Sequence, residues 1–375
     1  MSYLEKNKAK LIQYLQSGCK SDTMPMRFGI ELEHFIVKCD TKEAVSYYGE
    51  NGVEAILKEL QPLYEKSDYS EGHLIALSRK DIVISLEPAS QLEVSISPQT
   101  DYLFIDAVYQ QFLTEIKKIL DCHSYELVTF GYQPHSTVDS LTLIPKERYR
   151  FMDRYFAQIG PYGKQMMRGT AATQVSIDYY SEEDFKQKYE LAYRLKDFFA
   201  ELFDNTPIYE GEEYKQHFLR KKIWEKTDKR RVDIEPFMHN GTLSFEDYAH
   251  FVMQTPIIVN IFDGNTVYDE RTIGDLFEKR ELNEEEIIHC LSMVFPMIRA
   301  KQFLEIRYVD SMKMEKALVY VLLIKGLFTD TKETLNWLRN KELSQYNTNK
   351  QKMEFLLKKA SGYLSDKEIQ YIRSR

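Results

Sequence analysis

Phe28-Gly29-Ile30-Glu31-Leu32-Glu33-His34-Phe35 alternates apolar and acidic side chains with a period of two. Side chains two apart on a strand share a face, so Glu31 and Glu33 point together while Ile30 and Leu32 point the opposite way. One polar and one apolar face is the signature of an antiparallel strand; a strand of a parallel sheet, covered on both sides, reads as an unbroken apolar run. Ile82–Leu86, Gln91–Ser97, Ala172–Tyr179 and Phe303–Val309 alternate in the same way for much of their length. Between them, apolar residues at helical spacing predict helices over Tyr3–Gln16, Val53–Tyr64, Tyr102–Leu120, Ser181–Phe203, Glu284–Phe295, Met314–Phe328 and Gln351–Ser361. Strands scattered among helices without a regular repeat define an α+β protein built on an antiparallel sheet. No Gly/Ser-rich or Pro-rich linker divides the chain, which therefore reads as one domain over residues 1–375. Its lysine-rich end, from Asn347 to Arg375, reads as two solvated helices.

The polar faces repeat one design. In Gln91-Leu92-Glu93-Val94-Ser95-Ile96-Ser97 the polar side carries Gln91, Glu93, Ser95 and Ser97, with Glu87 just before the strand. In Ala172–Asp178 it carries Gln174, Ser176 and Asp178, and in Phe303–Tyr308 it carries Glu305 with Arg307. A solvated sheet face normally mixes lysine and threonine among its acids, but lysine is absent from all four polar sets and glutamate recurs on three of them. Brought together on one sheet, Glu31, Glu33, Glu93 and Glu305 would repel one another unless a cation lay among them. An all-oxygen ligand set selects Mg²⁺ or Mn²⁺ over zinc, and Mg²⁺ held by a few carboxylates completes its shell with substrate phosphates, which implies a nucleotide. His34 and His135 lie in no metal-ligand spacing and are left out of the candidate set.

Composition sets the outer bounds. Of 375 residues, 43% are hydrophobic and 29% charged, an ordinary globular balance that excludes a disordered chain. The net charge of −8 provides no basic field for nucleic acid, so anions must be gripped locally. Residues 1–17 contain no apolar signal-peptide core, and the longest apolar run, Ala317–Ile324, is too short to span a bilayer, so the expected location is cytoplasmic with no membrane partner. The four cysteines lie far apart with no C-x-x-C, as in a reduced compartment. Two local groups of cations stand out. Gly160–Thr170 is a glycine-punctuated loop bearing Lys164 and Arg168, and Lys215–Arg231 holds eight basic residues around Leu219, Ile223 and Trp224. There is no P-loop, no dinucleotide fingerprint and no nucleophile elbow.

Five separated motifs resemble the glutamate–cysteine ligases of the plant and proteobacterial type, within the superfamily that includes glutamine synthetase. In family order they are Phe28-Gly29-Ile30-Glu31-Leu32-Glu33, Glu87-Pro88-Ala89-Ser90-Gln91-Leu92-Glu93, Met167-Arg168-Gly169-Thr170 leading to Gln174, Leu219-Arg220 with Ile223-Trp224 and Thr227-Asp228, and Leu304-Glu305-Ile306-Arg307. Ala89-Ser90 stands where the family usually has Gly-Gly. The resemblance covers about residues 25–310, leaving 311–375 as a helical C-terminal part. It implies a glutamine synthetase-like antiparallel β-sheet curled into a funnel and surrounded by helices, with Mg²⁺ and ATP at one end. By motif position it implies metal binding by Glu31, Glu33, Glu93 and Glu305. Gln91, Gln174, Arg220, Trp224 and Lys164 are then expected to contact substrate or ATP, and Arg168 and Arg307 to be the catalytic cations. The implied reaction joins the γ-carboxylate of L-glutamate to the amine of L-cysteine through a γ-glutamyl phosphate, with a different amine or amino acid as the alternative acceptor. The expected partners are these small molecules and ATP, with no nucleic acid, in a monomer or homodimer. Glu87 is a candidate base. A two-carboxylate hydrolase, for instance on a glycoside, and a nucleotide- or amino-acid-binding relative that has lost catalysis are the competing classes; the first leaves the other glutamates and the cationic loop idle, and the second conflicts with an intact acidic set.

Overall fold

The computed structural model describes residues 1–261 and 267–375. Its strands are β1 (Phe28–Lys38), β2 (Lys66–Ser70), β3 (His73–Arg79), β4 (Ile82–Leu86), β5 (Leu92–Gln99), β6 (Tyr125–Val128), β7 (Ala172–Ile177), β8 (Ile208–Tyr209), β9 (Glu212–Glu213), β10 (Pro256–Asn260), β11 (Val267–Thr272), β12 (Ile298–Ala300) and β13 (Leu304–Asp310). Nine of them form one sheet in the order β12-β13-β7-β1-β5-β4-β3-β2, with β6 pairing the far end of β1. Every pair in it is antiparallel. All five strands expected from alternation are present, and the short β2, β3, β6 and β12 add to them.

The register carries the pattern into three dimensions. Glu33 lies opposite Glu93 across β1 and β5, Glu31 lies opposite Gln174 on β7, and Glu305 lies opposite Ser176. On the other face Ile30, Leu32, Leu92, Val94, Val175 and Ile306 are buried to 1% exposure or less. Each such side chain contributes about 1.5–3 kcal/mol on burial, and a slip of one residue would exchange them for glutamates, so the register is strongly fixed. The helices Tyr102–His123 and Glu182–Leu202 pack on β5 and β13, and Met314–Phe328, apolar all round, packs against the first of them. His34 belongs to this apolar side, hydrogen-bonded to the Tyr109 hydroxyl (2.7 Å) and to the Leu92 carbonyl (3.1 Å). Among the described residues no helix is long and apolar enough to cross a membrane.

Two expectations are corrected. Gly160–Thr170 is not an open loop, because Gly163–Gly169 is helical. Its glycines serve close packing: a Cβ on Gly163 would lie 1.7 Å from the Phe156 carbonyl oxygen, and one on Gly169 would lie 2.4 Å from the Tyr132 ring. The lysines of the C-terminal helices are not all solvated either. Lys352 (2% exposed) pairs with Glu201, and Lys359 (8%) pairs with Glu333, so their stems fill the packing between helices while their charges meet partners.

Candidate active site

Above the polar face of the sheet lies a cavity of about 300 Å³. Its floor is Glu31, Glu33, Gln91, Glu93, Gln174 and Arg307, and its rim includes Glu87, Lys146, Arg148, Trp224, Arg299 and Lys301. Seven of the eleven residues singled out in the sequence therefore line one space, on strands and a helix that are distant in the chain.

The carboxyls on the floor are crowded. Burial raises Glu31 and Glu33 to about 8 and Glu93 to about 7, with the neighbouring carboxylates adding to each: Glu93 and Glu305 for Glu31, Glu87 and Glu93 for Glu33, and Glu87 for Glu93. Burial also raises Glu87. Polar neighbours fix the geometry. Glu33 accepts from the Ala172 amide (2.8 Å) and from Gln174 Nε2 (2.9 Å), and Glu93 accepts from the Ser85 hydroxyl (3.0 Å). Gln91 is locked at the head of β5, donating to the Thr170 carbonyl (3.1 Å) and accepting from the Ala89 amide (2.9 Å). The turn before it passes through Ser90 at φ 71°, the left-handed region that explains a preference for glycine there.

Glu305 departs from expectation. It is fully buried and does not line the cavity; Arg299 grips it through Nε (2.7 Å) and Nη2 (3.0 Å), Lys301 at 2.8 Å and Arg307 at 2.6 Å. Burial alone would raise its carboxyl, but these three cations outweigh burial and hold it well below the usual range. Arg168 also departs. Its guanidinium pairs with Asp153 (2.6 and 2.8 Å) and the Leu141 carbonyl, because the helix carrying it turns the side chain away from the sheet. Lys164 pairs with Asp139 at an exposed site. Arg220 is buried beside the cavity, donating to the Arg307 carbonyl (2.9 Å), and so supports the strand that bears Arg307.

Among the described residues no three His, Cys, Asp or Glu side chains converge closely enough to hold a metal ion by themselves, since Glu33 is turned to its amide donors and Glu305 to its cations. The donor chemistry nevertheless fits a hard divalent cation: Glu31, Glu33 and Glu93 present carboxylate oxygens to one cavity, and each is destabilised as an anion by burial and by neighbouring carboxylates. The sequence reading missed Lys146, Arg148, Arg299 and Lys301. Arg299 and Lys301 alternate six and four residues before Glu305, so a hairpin over this stretch would have placed them beside it. Lys146 and Arg148 follow Pro145 at a helix start, where basic residues are out of place.

A family model, glutamate-cysteine ligase family 2, matches residues 27–358. The chain belongs to this family. Glutamate–cysteine ligase A of Oryza sativa subsp. indica, a chloroplastic protein, is 29% identical over 318 residues, covering 81% of this chain and 63% of that one. The chloroplastic enzyme of Arabidopsis thaliana is 28% identical over 311 residues, covering 80% and 58%. The chain thus spans about three-fifths of the length of these curated relatives. The crystal structure of the Francisella tularensis glutamate–cysteine ligase in complex with AMP superposes with a TM-score of 0.53 at 11% identity, covering 94% of this chain and 82% of that one, and shows the shared fold.

The crowded floor has a thermodynamic consequence. A carboxyl whose folded pKa lies above its unfolded value of about 4.5 adds stability at low pH that is lost as pH rises through the folded pKa. His34, lowered to about 4 by burial, acts in the opposite sense, but only below about pH 6.5. Between pH 6.5 and 8.5 the metal-free protein is therefore expected to lose melting temperature, and added Mg²⁺ to raise it more at pH 8.5 than at pH 6.5. Scanning calorimetry of the chelator-treated protein checks this; a melting temperature that rises across the window would refute the crowding.

Proposed function

We propose that the chain is an ATP-dependent ligase working as one catalytic unit, joining the γ-carboxylate of L-glutamate to the amine of L-cysteine to give γ-glutamylcysteine, ADP and phosphate. The observation that carries this reading is the pairing, in one cavity of a family member, of a crowded carboxylate wall with guanidinium and ammonium groups that exceed the carboxylates they touch. A two-carboxylate hydrolase leaves Arg299, Lys301 and Arg307 without a task.

A carboxylate is a poor electrophile. Its oxygen first attacks the γ-phosphorus of ATP, an O–P bond forming as the bond to ADP breaks. The amine nitrogen then attacks the acyl carbon of the γ-glutamyl phosphate, a C–N bond forms, phosphate leaves and the nitrogen gives up a proton. Glu31, Glu33 and Glu93 would hold Mg²⁺, or Mn²⁺ in its place, which when bound neutralises phosphate charge. Arg307 faces the phosphoryl group, with Trp224 against its guanidinium carbon at 5.8 Å. Gln174, bridging Glu33 and Arg307, keeps the acidic and basic halves in register. Glu87, on the rim with its carboxyl raised by burial, is the group placed to take the amine proton. The four free cysteines suit a reducing, cytoplasmic setting.

The reading predicts that ADP release requires glutamate, Mg²⁺ and an amine together. A coupled assay over a panel of amines, with the mass of each product, tests it. Turnover that survives chelator would remove the metal, and product formed with another amine but not with cysteine would change the acceptor.

A further inference from the structure

The helices Glu182–Leu202 and Met314–Phe328 meet the two C-terminal helices, Asn349–Ala360 and Asp366–Arg373, around a second cavity of about 900 Å³ that shares no residue with the candidate active site. Its walls are apolar: Phe203, Val319, Leu357 and Ile372 are buried, and Met353 is half-buried. Its rim is cationic. Lys316, Lys350, Lys358 and Arg373 are exposed around it, against one lining acid, Glu354, in a chain whose net charge is −8. The helix Asn349–Ala360 shows how the sequence sorts these charges. Lys350, Met353, Leu357 and Lys358 recur at helical spacing and share the face that lines the cavity, whereas Lys352 and Lys359 fall off that face, are buried, and pair with Glu201 and Glu333. Among the described residues the four rim cations make no ion pair and no side-chain hydrogen bond. Cations of one sign around a cleft with low-dielectric walls focus their field into it, so an anion gains more there than on open surface.

We propose that this cavity binds an anionic amphiphile, a long-chain carboxylate, with its apolar chain against Phe203, Val319, Met353 and Leu357 and its head among Lys316, Lys350, Lys358 and Arg373. The cavity is concave and of the size that encloses a small molecule, which favours such a ligand over a protein segment laid on a flat face. The two halves of the ligand match the two halves of the site. Apolar walls reward each methylene removed from water, and exposed cations at the mouth meet the head where it keeps part of its hydration. An amphiphile of the opposite charge would find the same walls but a repelling rim. The site lies apart from the candidate active site and does not rest on the ligase reading.

The test titrates the full chain calorimetrically with dodecanoate below its micelle concentration, beside dodecyltrimethylammonium, the neutral dodecyl maltoside, and acetate as the head alone. Two variants accompany the wild type: Lys316→Glu with Lys358→Glu, both at exposed positions that leave the core untouched, and Met353→Glu in the wall. Dodecanoate is expected to saturate one site on the wild type, at least about tenfold more tightly than the ammonium amphiphile, and to weaken as salt screens the rim. Acetate should not bind measurably. The paired charge reversal should weaken dodecanoate at least about tenfold and strengthen the ammonium amphiphile, and Met353→Glu should weaken both. Should Met353→Glu fail to fold, the exposed pair still decides, with its melting temperature measured alongside. Equal affinity of the wild type for the two charged amphiphiles, or a dodecanoate affinity unchanged in the folded charge variant, overturns the proposal. So does a wild-type dimer in sedimentation that the same charge reversal dissociates while dodecanoate stays unbound, which would give the cavity to a second copy of the chain.

Discussion

Glu93→Gln is expected to lower turnover at least about a hundredfold while leaving the protein folded, and Glu31→Gln to do the same, within the usual range for lost metal or transition-state stabilisation. Glu93 is held by Ser85 at 3.0 Å and Ser95 at 3.3 Å, and it faces Glu33 directly across the β1–β5 ladder. A glutamine there keeps the shape and the hydrogen bonds from both serines but removes an anion. In the metal-free protein burial, and then the neighbouring carboxylates, disfavour that charge, so its loss removes a cost, and the melting temperature without Mg²⁺ should hold or rise. With Mg²⁺ the order reverses, because the cation loses a ligand, and the Mg²⁺ concentration giving half-maximal turnover should increase. Turnover against Mg²⁺ and a melting curve in each state check both halves. A sharp fall in melting temperature with an unchanged Mg²⁺ requirement would make Glu93 a structural residue.

The parts legible in the sequence are those that a period of two can encode. Glu31, Glu33, Glu93 and Gln174 line one cavity because alternation assigns a face before any neighbour is known, and the antiparallel sheet then brings four such faces together. Alternation does not say which charges find partners. Glu305 obeys the same pattern, yet it is withdrawn from the cavity by Arg299 and Lys301, which arrive on β12 and the turn after it, a strand of three residues too short to show a period. Arg168 and Lys164 lie off the cavity for a different reason. Glycine punctuation suggests an open loop, whereas Gly163 and Gly169 are small so that a helix can press against Phe156 and Tyr132, and that helix aims Arg168 at Asp153. Lys146 and Arg148 left only the faint signal of basic residues at a helix start. A tertiary cavity, not a local pattern, gathers them.

Arg307→Lys is the second large effect expected, a loss of turnover of about ten- to a hundredfold with the fold and the charge retained. An ion pair with Glu305 alone would not need arginine, since a point charge suffices for it. That pair exists, at 2.6 Å, but Glu305 is also met by Arg299 on two bonds and by Lys301, so three cations attend one carboxylate and the knot keeps an excess of positive charge beside the cavity. Arg307 is the member of the three that also touches Gln174 and lies against Trp224, which turns its guanidinium toward the carboxylate floor. Lysine would preserve the contact with Glu305 but lose the planar fork that presents two N–H groups to one phosphoryl oxygen pair, and the stacking on the indole. Stability should move by less than about 1 kcal/mol, because Arg299 and Lys301 still neutralise Glu305. Steady-state kinetics on the single variant decide the matter: wild-type turnover together with a wild-type KM for ATP would leave Arg307 as a structural counter-ion and shift the phosphoryl contact to the remaining cations of the cavity.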